Sequence, residues 1–355
     1  MIIHNITTII DFAIRTDNAN KIIFFIENLS HFRFVEKIFD YYLTNDFEIT
    51  LLCLENFFES DITTSTKIDI VVLKNDIEKI KILKNLKGKV FITTTPSIGS
   101  SIFPKSQVSP KEDRPKYLYF FHSLVSPGEM YVKNSFKNFD YIFSPSNTIT
   151  EQLKPLVSDK VKIFTTGYLL FDQIQFGENS KEFNDRVLIA PTWGKAGVDE
   201  IISNLEKITN FISSQSLKAV FRPHPMTDIN EFKINPNISL DLDKDLKNLQ
   251  DYKHLITDYS GIALEFFYLT KRSTIFLEVQ KKIKRKIGKK EKNFLLIENE
   301  MRTVIGEAVS INEISQLKTF PDIDVNSVLP FVQKINYSSN SLKQTIEILN
   351  AENLN

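Results

Sequence analysis

Four short stretches set a hydroxyl, an imidazole or a charged side chain at the end of an apolar run. They are Asp258-Tyr259-Ser260-Gly261, Arg222-Pro223-His224-Pro225, Pro191-Thr192-Trp193-Gly194 and Phe121-His122-Ser123. Each follows directly on an apolar run, which places it where a strand ends. A histidine with an unperturbed pKa near ~6.5 can give or take a proton at neutrality. A guanidinium can grip a phosphate or carboxylate with two bonds. Serine hydroxyls and the bare amides around a glycine at a helix start can meet a phosphate closely. A phosphate site is one chemistry these residue types could serve.

Each stretch also has an ordinary reading. In "HLITDYSGIALEFFYLT" (254–270) the apolar run hands over to helical spacing at Ser260 and Gly261. Ser260 and the amides at Gly261 suit a phosphate, and Asp258, itself negative, faces a sugar or acceptor hydroxyl more naturally. The same residues would equally make an Asp/Ser helix cap with an incidental glycine. His224 is fixed between two prolines, a costly way to hold a surface residue, against the alternative of a rigid exposed turn. Thr192 and the backbone after it could meet a diphosphate. Trp193, the single tryptophan, could stack on a base or simply wall the core. His122 could deprotonate an acceptor hydroxyl, or be a satisfied core histidine.

The elements that must position these residues are legible as short apolar runs. "KIIFFI" (21–26), "FEITLLCL" (47–54), "IDIVVL" (68–73), "KVFITT" (89–94), "KYLYFF" (116–121), "DYIFS" (140–144) and "VKIFTT" (161–166) predict strands in the first half. "VLIAPT" (187–192), "KAVFRP" (218–223), "HLIT" (254–257) and "STIFLE" (273–278) predict them in the second. Near-continuous hydrophobicity suits parallel strands covered on both faces. Helices are predicted over "HFRFVEKIFDYYL", "SNTITEQLKPL", residues 198–214, 260–270 and "SLKQTIEILNAEN". The polar stretch 172–186 reads as a linker. The expected organisation is α/β: a Rossmann-like domain over 1–180, a second over 187–330 and a C-terminal helical segment over 331–355. Two doubly wound parallel sheets of this kind would face a cleft at the carboxyl ends of their strands.

Composition narrows the classes further. Forty-four basic residues balance 44 acidic ones, so bulk charge gives no reason to expect nucleic acid as a partner. The lone Cys53 lies in "ITLLCL", where a buried structural thiol is expected, and no internal disulfide can form. The sequence carries no signal-peptide pattern at its start and no apolar stretch of the ~18 residues that a spanning helix needs. Charge is concentrated in "QKKIKRKIGKKEKN" (280–293), a solvated run or a contact for anionic lipids or a polyanionic acceptor. No Walker loop, G-x-G-x-x-G, G-x-S-x-G or zinc spacing occurs, and neither a metal nor a cofactor is expected.

Taken together and in this order, "LIAPTWG", "FRPHP" and "LITDYSGIALEFFYLTKRSTIF" resemble the CDP-glycerol glycerophosphotransferase family, the teichoic-acid primases and polymerases, over residues 186–280. The resemblance implies a two-domain GT-B fold that moves an alditol phosphate from a CDP-alditol to a hydroxyl and releases CMP. The family's His-Pro motif falls on His224 and Pro225. Its Asp-Tyr-Ser-Ser motif falls on Asp258, Tyr259 and Ser260, with Gly261 for the second serine. Its first-domain His-Gly motif corresponds to His122, with Ser123 for the glycine. Its Gly-Tyr-Pro-Arg-x-Asp segment appears as Gly167 to Asp172, lacking the Pro and the Arg. The strand-turn-helix and His-Pro elements are also similar to UDP-GlcNAc 2-epimerases and to capsule transferases that use CMP-activated sugars.

The resulting expectation is a cytoplasmic transferase, peripheral on the inner face of the membrane through residues 281–292. A cytidine-nucleotide donor would be held by Thr192, Trp193, Arg222, Ser260 and Gly261, and the acceptor would be a polymer or lipid-linked hydroxyl. His122, His224 and Asp258 would carry the chemistry: His122 deprotonates the acceptor and His224 stabilises or protonates the departing phosphate. From another class, the chain could be a nucleotide-binding subunit without chemistry of its own.

Overall fold

The computed structural model describes residues 20–27, 29–54, 67–73, 83–84, 86–100, 108–132, 134–172, 184–228, 230, 232, 238–242, 246–279, 296–336 and 340–355. In chain order the first half runs β1 (Ile22–Ile26), α1 (Leu29–Phe32), α2 (Glu36–Thr44), β2 (Ile49–Cys53), β3 (Ile68–Val72), β4 (Val90–Thr93), β5 (Lys116–Phe120), α3 (Pro127–Met130), β6 (Tyr141–Ser144), α4 (Asn147–Leu153), β7 (Lys162–Thr165) and α5 (Leu169–Asp172). The second runs β8 (Asn184–Ile189), α6 (Lys195–Ser203), α7 (Leu205–Ser214), β9 (Lys218–Phe221), β10 (Ser239–Leu240), β11 (Tyr252–Thr257), α8 (Ile262–Thr270), β12 (Thr274–Glu278), α9 (Ile297–Val304), β13 (Gly306–Ser310), α10 (Val325–Ile335) and α11 (Ser341–Ala351).

These elements form two compact units. The first comprises Met1–His122, Tyr131–Asp172 and Ile335–Asn355; the second comprises Ser123–Met130 and Gln173–Lys334. Each is built on one all-parallel sheet. Among the described residues the first has seven strands in the order β3-β2-β1-β4-β5-β6-β7, and the second has six in the order β10-β9-β8-β11-β12-β13. Both are doubly wound: strand order reverses between β1 and β4 in one sheet and between β8 and β11 in the other. Ligands of such sheets bind at that reversal, outside the carboxyl ends of the strands.

The strand predictions rest on apolar runs, which full burial makes longest, although the half-buried edge strands β3 and β7 are apolar enough to be read as well. Every residue of β1, β2, β4 and β6 is buried, so these strands read as unbroken apolar runs. The edge strands β10 and β13, unpredicted, are mostly exposed or half-buried and carry no such signal. The helix expected over 198–214 is two helices. The Asn204 side chain donates to the Glu200 carbonyl at 2.9 Å, a local bond that competes with helix continuation. Helix α4 starts where expected, with the Ser146 hydroxyl accepting the Ile149 amide at 3.2 Å.

Helix α11 packs in the first unit. Leu349 and Leu354 join the core that contains Phe24, Phe39 and Tyr42, and the Tyr42 hydroxyl donates to the Leu354 carbonyl at 3.0 Å. Asp172 accepts the Leu342 amide at 2.6 Å and so caps this helix from across the chain. In the second unit the core gathers Val187 and Ile189 of β8, Ile256 of β11, Ile275 and Leu277 of β12, and the apolar faces of α6 and α7. Among the described residues no helix is long and apolar enough to cross a membrane. The basic run at 281–292 and most of the polar stretch at 172–186 lie outside the described residues.

Candidate functional site

The site grows from the reversal point of the second sheet. Strands β8 and β11 lie side by side, with Leu188 opposite Leu255 and Ile189 opposite Ile256. Past their ends the two chains stay stitched together. The Ala190 amide donates to the Ile256 carbonyl at 3.0 Å, the Thr257 hydroxyl donates to the Ala190 carbonyl at 2.5 Å, and the Thr192 amide donates to Asp258 Oδ1 at 2.9 Å. Thr192 and the turn 258–261, which are 66 residues apart at their closest bonded pair, thereby share one edge.

Asp258 sits inside the turn, bonded to the backbone around it. It is 1% exposed. Burial raises its carboxyl above the usual 3.8, and hydrogen bonds from the backbone amides of Thr192, Tyr259, Asp258 itself and Ser260 pull against that rise. With its oxygens engaged by amides, Asp258 organises the turn and holds the β8 loop. Ser260, 9% exposed, leads into α8, whose first amide, from Ile262, lies 3.5 Å from the Ser260 hydroxyl.

Gly261 answers a spatial demand. Its φ of −61° and ψ of −17° are open to any residue. A Cβ there, however, would lie 2.9 Å from Ser123 Oγ and 3.5 Å from Val125 Cγ1. At Gly194 the demand is conformational: φ is +128° where the β8 loop turns into α6, a region closed to side-chain-bearing residues.

His224 follows β9, and its surroundings fix its chemistry. The Met226 amide donates to Nδ1 at 3.1 Å, so Nδ1 carries no proton and the neutral ring carries it on Nε2. The half-exposed Trp193 ring lies 6.4 Å from the imidazole, tilted by 32°. Arg222, expected to meet a phosphate, is instead committed inside the unit. It is 8% exposed, and its Nε and Nη2 donate to Asp241 Oδ2 at 3.0 and 2.5 Å. The Tyr252 hydroxyl donates to the same oxygen. A guanidinium held this way ties the end of β9 to Asp241.

His122 belongs to the first unit, just past β5. Its ring stacks on that of His31 at 5.0 Å and meets the edge of Phe34 at 6.2 Å. Nδ1 lies 3.4 Å from the Tyr119 hydroxyl. Burial pushes its pKa down to about 4, against a backbone hydrogen bond with Thr94 and together with the charge of Arg33, so the ring is neutral at pH 7. At the reversal point of the same sheet the Thr95 hydroxyl donates to Glu27.

Several participants carried no sequence signal. His31 stands alone in the sequence and is joined to His122 only by the fold. Arg302 of α9, 6% exposed, places its guanidinium 4.3 Å from the centre of the Tyr259 ring, next to the turn. Ser126 and Glu298 bind each other's helix ends, the Ser126 amide donating to Glu298 Oε1 and the Ile297 amide to Ser126 Oγ, both at 2.8 Å.

Three comparisons bear on this geometry. The CDP-Glycerol:Poly(glycerophosphate) glycerophosphotransferase family matches residues 124–285, the stretch that holds the turn 258–261, Thr192 and His224. Among solved structures, a variant of the wall teichoic acid polymerase TagF soaked with CDPG is 15% identical, with a TM-score of 0.63 over 98% of this chain and 92% of that one. The UDP-GlcNAc 2-epimerase of Methanocaldococcus jannaschii, in complex with UDP-GlcNAc and UDP, is 14% identical, with a TM-score of 0.61 over 93% of this chain and 99% of that one. At these identities the structural likenesses establish the fold, which is GT-B. No curated protein matches the chain by sequence.

Proposed function

We propose that the chain is a transferase that moves an alditol phosphate from a cytidine-activated donor to a hydroxyl of a surface polymer or lipid-linked acceptor, a reading supported by the glycerophosphotransferase family match over residues 124–285 and by the GT-B fold. The observation that carries this reading is the Asp258–Thr192 bond. It brings the Thr192 backbone, Ser260 and the first amides of α8 to the edge of one reversal point, where a diphosphate is bound best. Trp193 offers its exposed ring to the base.

In the reaction the acceptor oxygen attacks the phosphorus that bears the alditol, and the bond from that phosphorus to the CMP oxygen breaks. His224, protonated on Nε2, donates to the departing phosphate. His122, neutral at pH 7, receives the acceptor proton. A displacement of this kind needs mainly positioning and charge neutralisation. Asp258 and Arg222 act by holding the loops in place.

The test is thermal stabilisation by CMP, CDP, UMP, UDP and GDP at matched concentrations. A ligand selective for the folded state stabilises by about 2.7 kcal/mol at a hundred times its Kd, so cytidine nucleotides alone should raise the melting temperature. A response confined to UDP would favour an epimerase-like or UDP-sugar enzyme, and no response to any would favour a subunit without catalysis.

We also propose that the run at 281–292 draws the chain to anionic lipid. Eight basic residues (Lys281, Lys282, Lys284, Arg285, Lys286, Lys289, Lys290 and Lys292) stand against Glu291, and each is worth about 1 kcal/mol near a charged surface. Reversing these charges should abolish sedimentation with phosphatidylserine vesicles and spare nucleotide binding; unchanged sedimentation would refute the lipid role.

A further inference from the structure

We propose that Ser123 and Gly261 are one matched pair, in which Ser123 takes the place over the start of α8 that a side chain at 261 would fill, and that this pair shapes the donor turn. The use of that turn for a donor rests on the function proposed above; the pairing does not.

The segment Ser123–Met130 follows a strand of the first unit, yet it packs as part of the second. It is firmly anchored there. Leu124, Val125 and Ser126 are buried at 1%, 7% and 0% exposure, and the reciprocal bonds between Ser126 and the start of α9 fix it at both backbone and side chain. Ser123 lies three residues before that anchor, so its backbone cannot withdraw from α8 without breaking buried bonds.

Against this fixed segment, the 2.9 Å gap between Ser123 Oγ and a Cβ at 261 is too short for a real contact. A side chain at 261 would have to turn the Ser123 hydroxyl away, into another rotamer. Because the backbone at 261 is ordinary right-handed helix, space alone calls for glycine there. The same two positions are those at which this chain departs from the His-Gly and Asp-Tyr-Ser-Ser patterns, with the serine and the glycine exchanged. The hydroxyl beside the turn comes from residue 123, on the far side of that contact. Ser123 is thus a positioning residue for the turn.

A double-mutant cycle on the full chain tests this, with Ser123→Gly, Gly261→Ser and the double variant each measured for CMP affinity and for melting temperature without ligand. Each single change should weaken CMP binding about tenfold, within the coupling expected of residues in contact, and the double variant should regain most of the affinity. The ligand-free melting temperatures should be non-additive in the same sense, with Gly261→Ser lowered and rescued by Ser123→Gly. Additive losses in both measurements would overturn the pairing. Non-additive melting temperatures with additive CMP affinities would keep the pair and remove its influence on the donor turn. If the parent chain binds no cytidine nucleotide, the donor reading fails by itself, and the melting temperatures alone decide the pairing.

Discussion

Replacing His224 with alanine is expected to lower alditol phosphate transfer, read as CMP release, at least ~100-fold, the lower range for a general acid or base. The melting temperature should stay where it is. Both halves of this expectation come from the same surroundings. Pro223 and Pro225 hold the backbone on either side, and the ring is only half-buried, so its removal opens no core cavity. The bond from the Met226 amide to Nδ1 fixes the tautomer and leaves the proton of the neutral ring on Nε2. Alanine removes that proton donor. Glutamine at 224 restores a hydrogen-bond donor without restoring acid strength, so a partial recovery would assign His224 to charge stabilisation. Near-normal turnover in the alanine variant would take His224 out of the mechanism.

Asp258→Ala should have the opposite signature, a loss of stability first and of activity as a result. The change strips the Thr192 amide of its partner in a buried setting, and an unsatisfied donor there costs about 1–3 kcal/mol. The turn amides that the carboxyl also serves bring the expected loss to about 3 kcal/mol. Denaturant unfolding at neutral pH would measure it. Wild-type stability would mean that the two loops are held by other bonds. The carboxyl adds a pH dependence with a definite sign. Its pKa is raised in the folded chain, chiefly by burial, so the folded state binds the proton more tightly than the unfolded one. Its contribution is therefore complete below the unfolded value of about 3.9 and is lost as pH rises through the folded value. Asp258→Asn keeps an oxygen for Thr192 and cannot ionise. Its stability should fall less than that of the wild type as pH rises through this window, and an unaltered slope would exclude Asp258 as the source.

How much of this was legible in the sequence depended on how local each determinant is. The buried strands were legible because parallel strands covered on two faces must be apolar throughout. The edge strands β10 and β13 were not, because their side chains face water. The turns at Thr192, His224 and Ser260 stood out because a proton carrier or hydroxyl beside proline or glycine at a strand end is visible within a few residues. The roles inside those turns were less visible. The bonds of Arg222 reach Asp241, 19 residues on. Asp258 takes the Thr192 amide, 66 residues away. The space above Gly261 is set by Ser123 Oγ, 2.9 Å from where a Cβ would lie. In each case the deciding partner is distant in sequence, and no local periodicity encodes it.

The burial of Leu349 and Leu354 in the first core has a consequence for how the chain is made. Residues 173–334 of the second unit interrupt the first unit in the sequence. A ribosome therefore releases β8 through α10 while the first core still lacks one wall. The second unit can condense as soon as it emerges, but the first must wait for α11 to supply Leu349 and Leu354 to its core. A fragment that stops at residue 172 would keep every strand of the first sheet and still leave Tyr42 and its neighbours open to water.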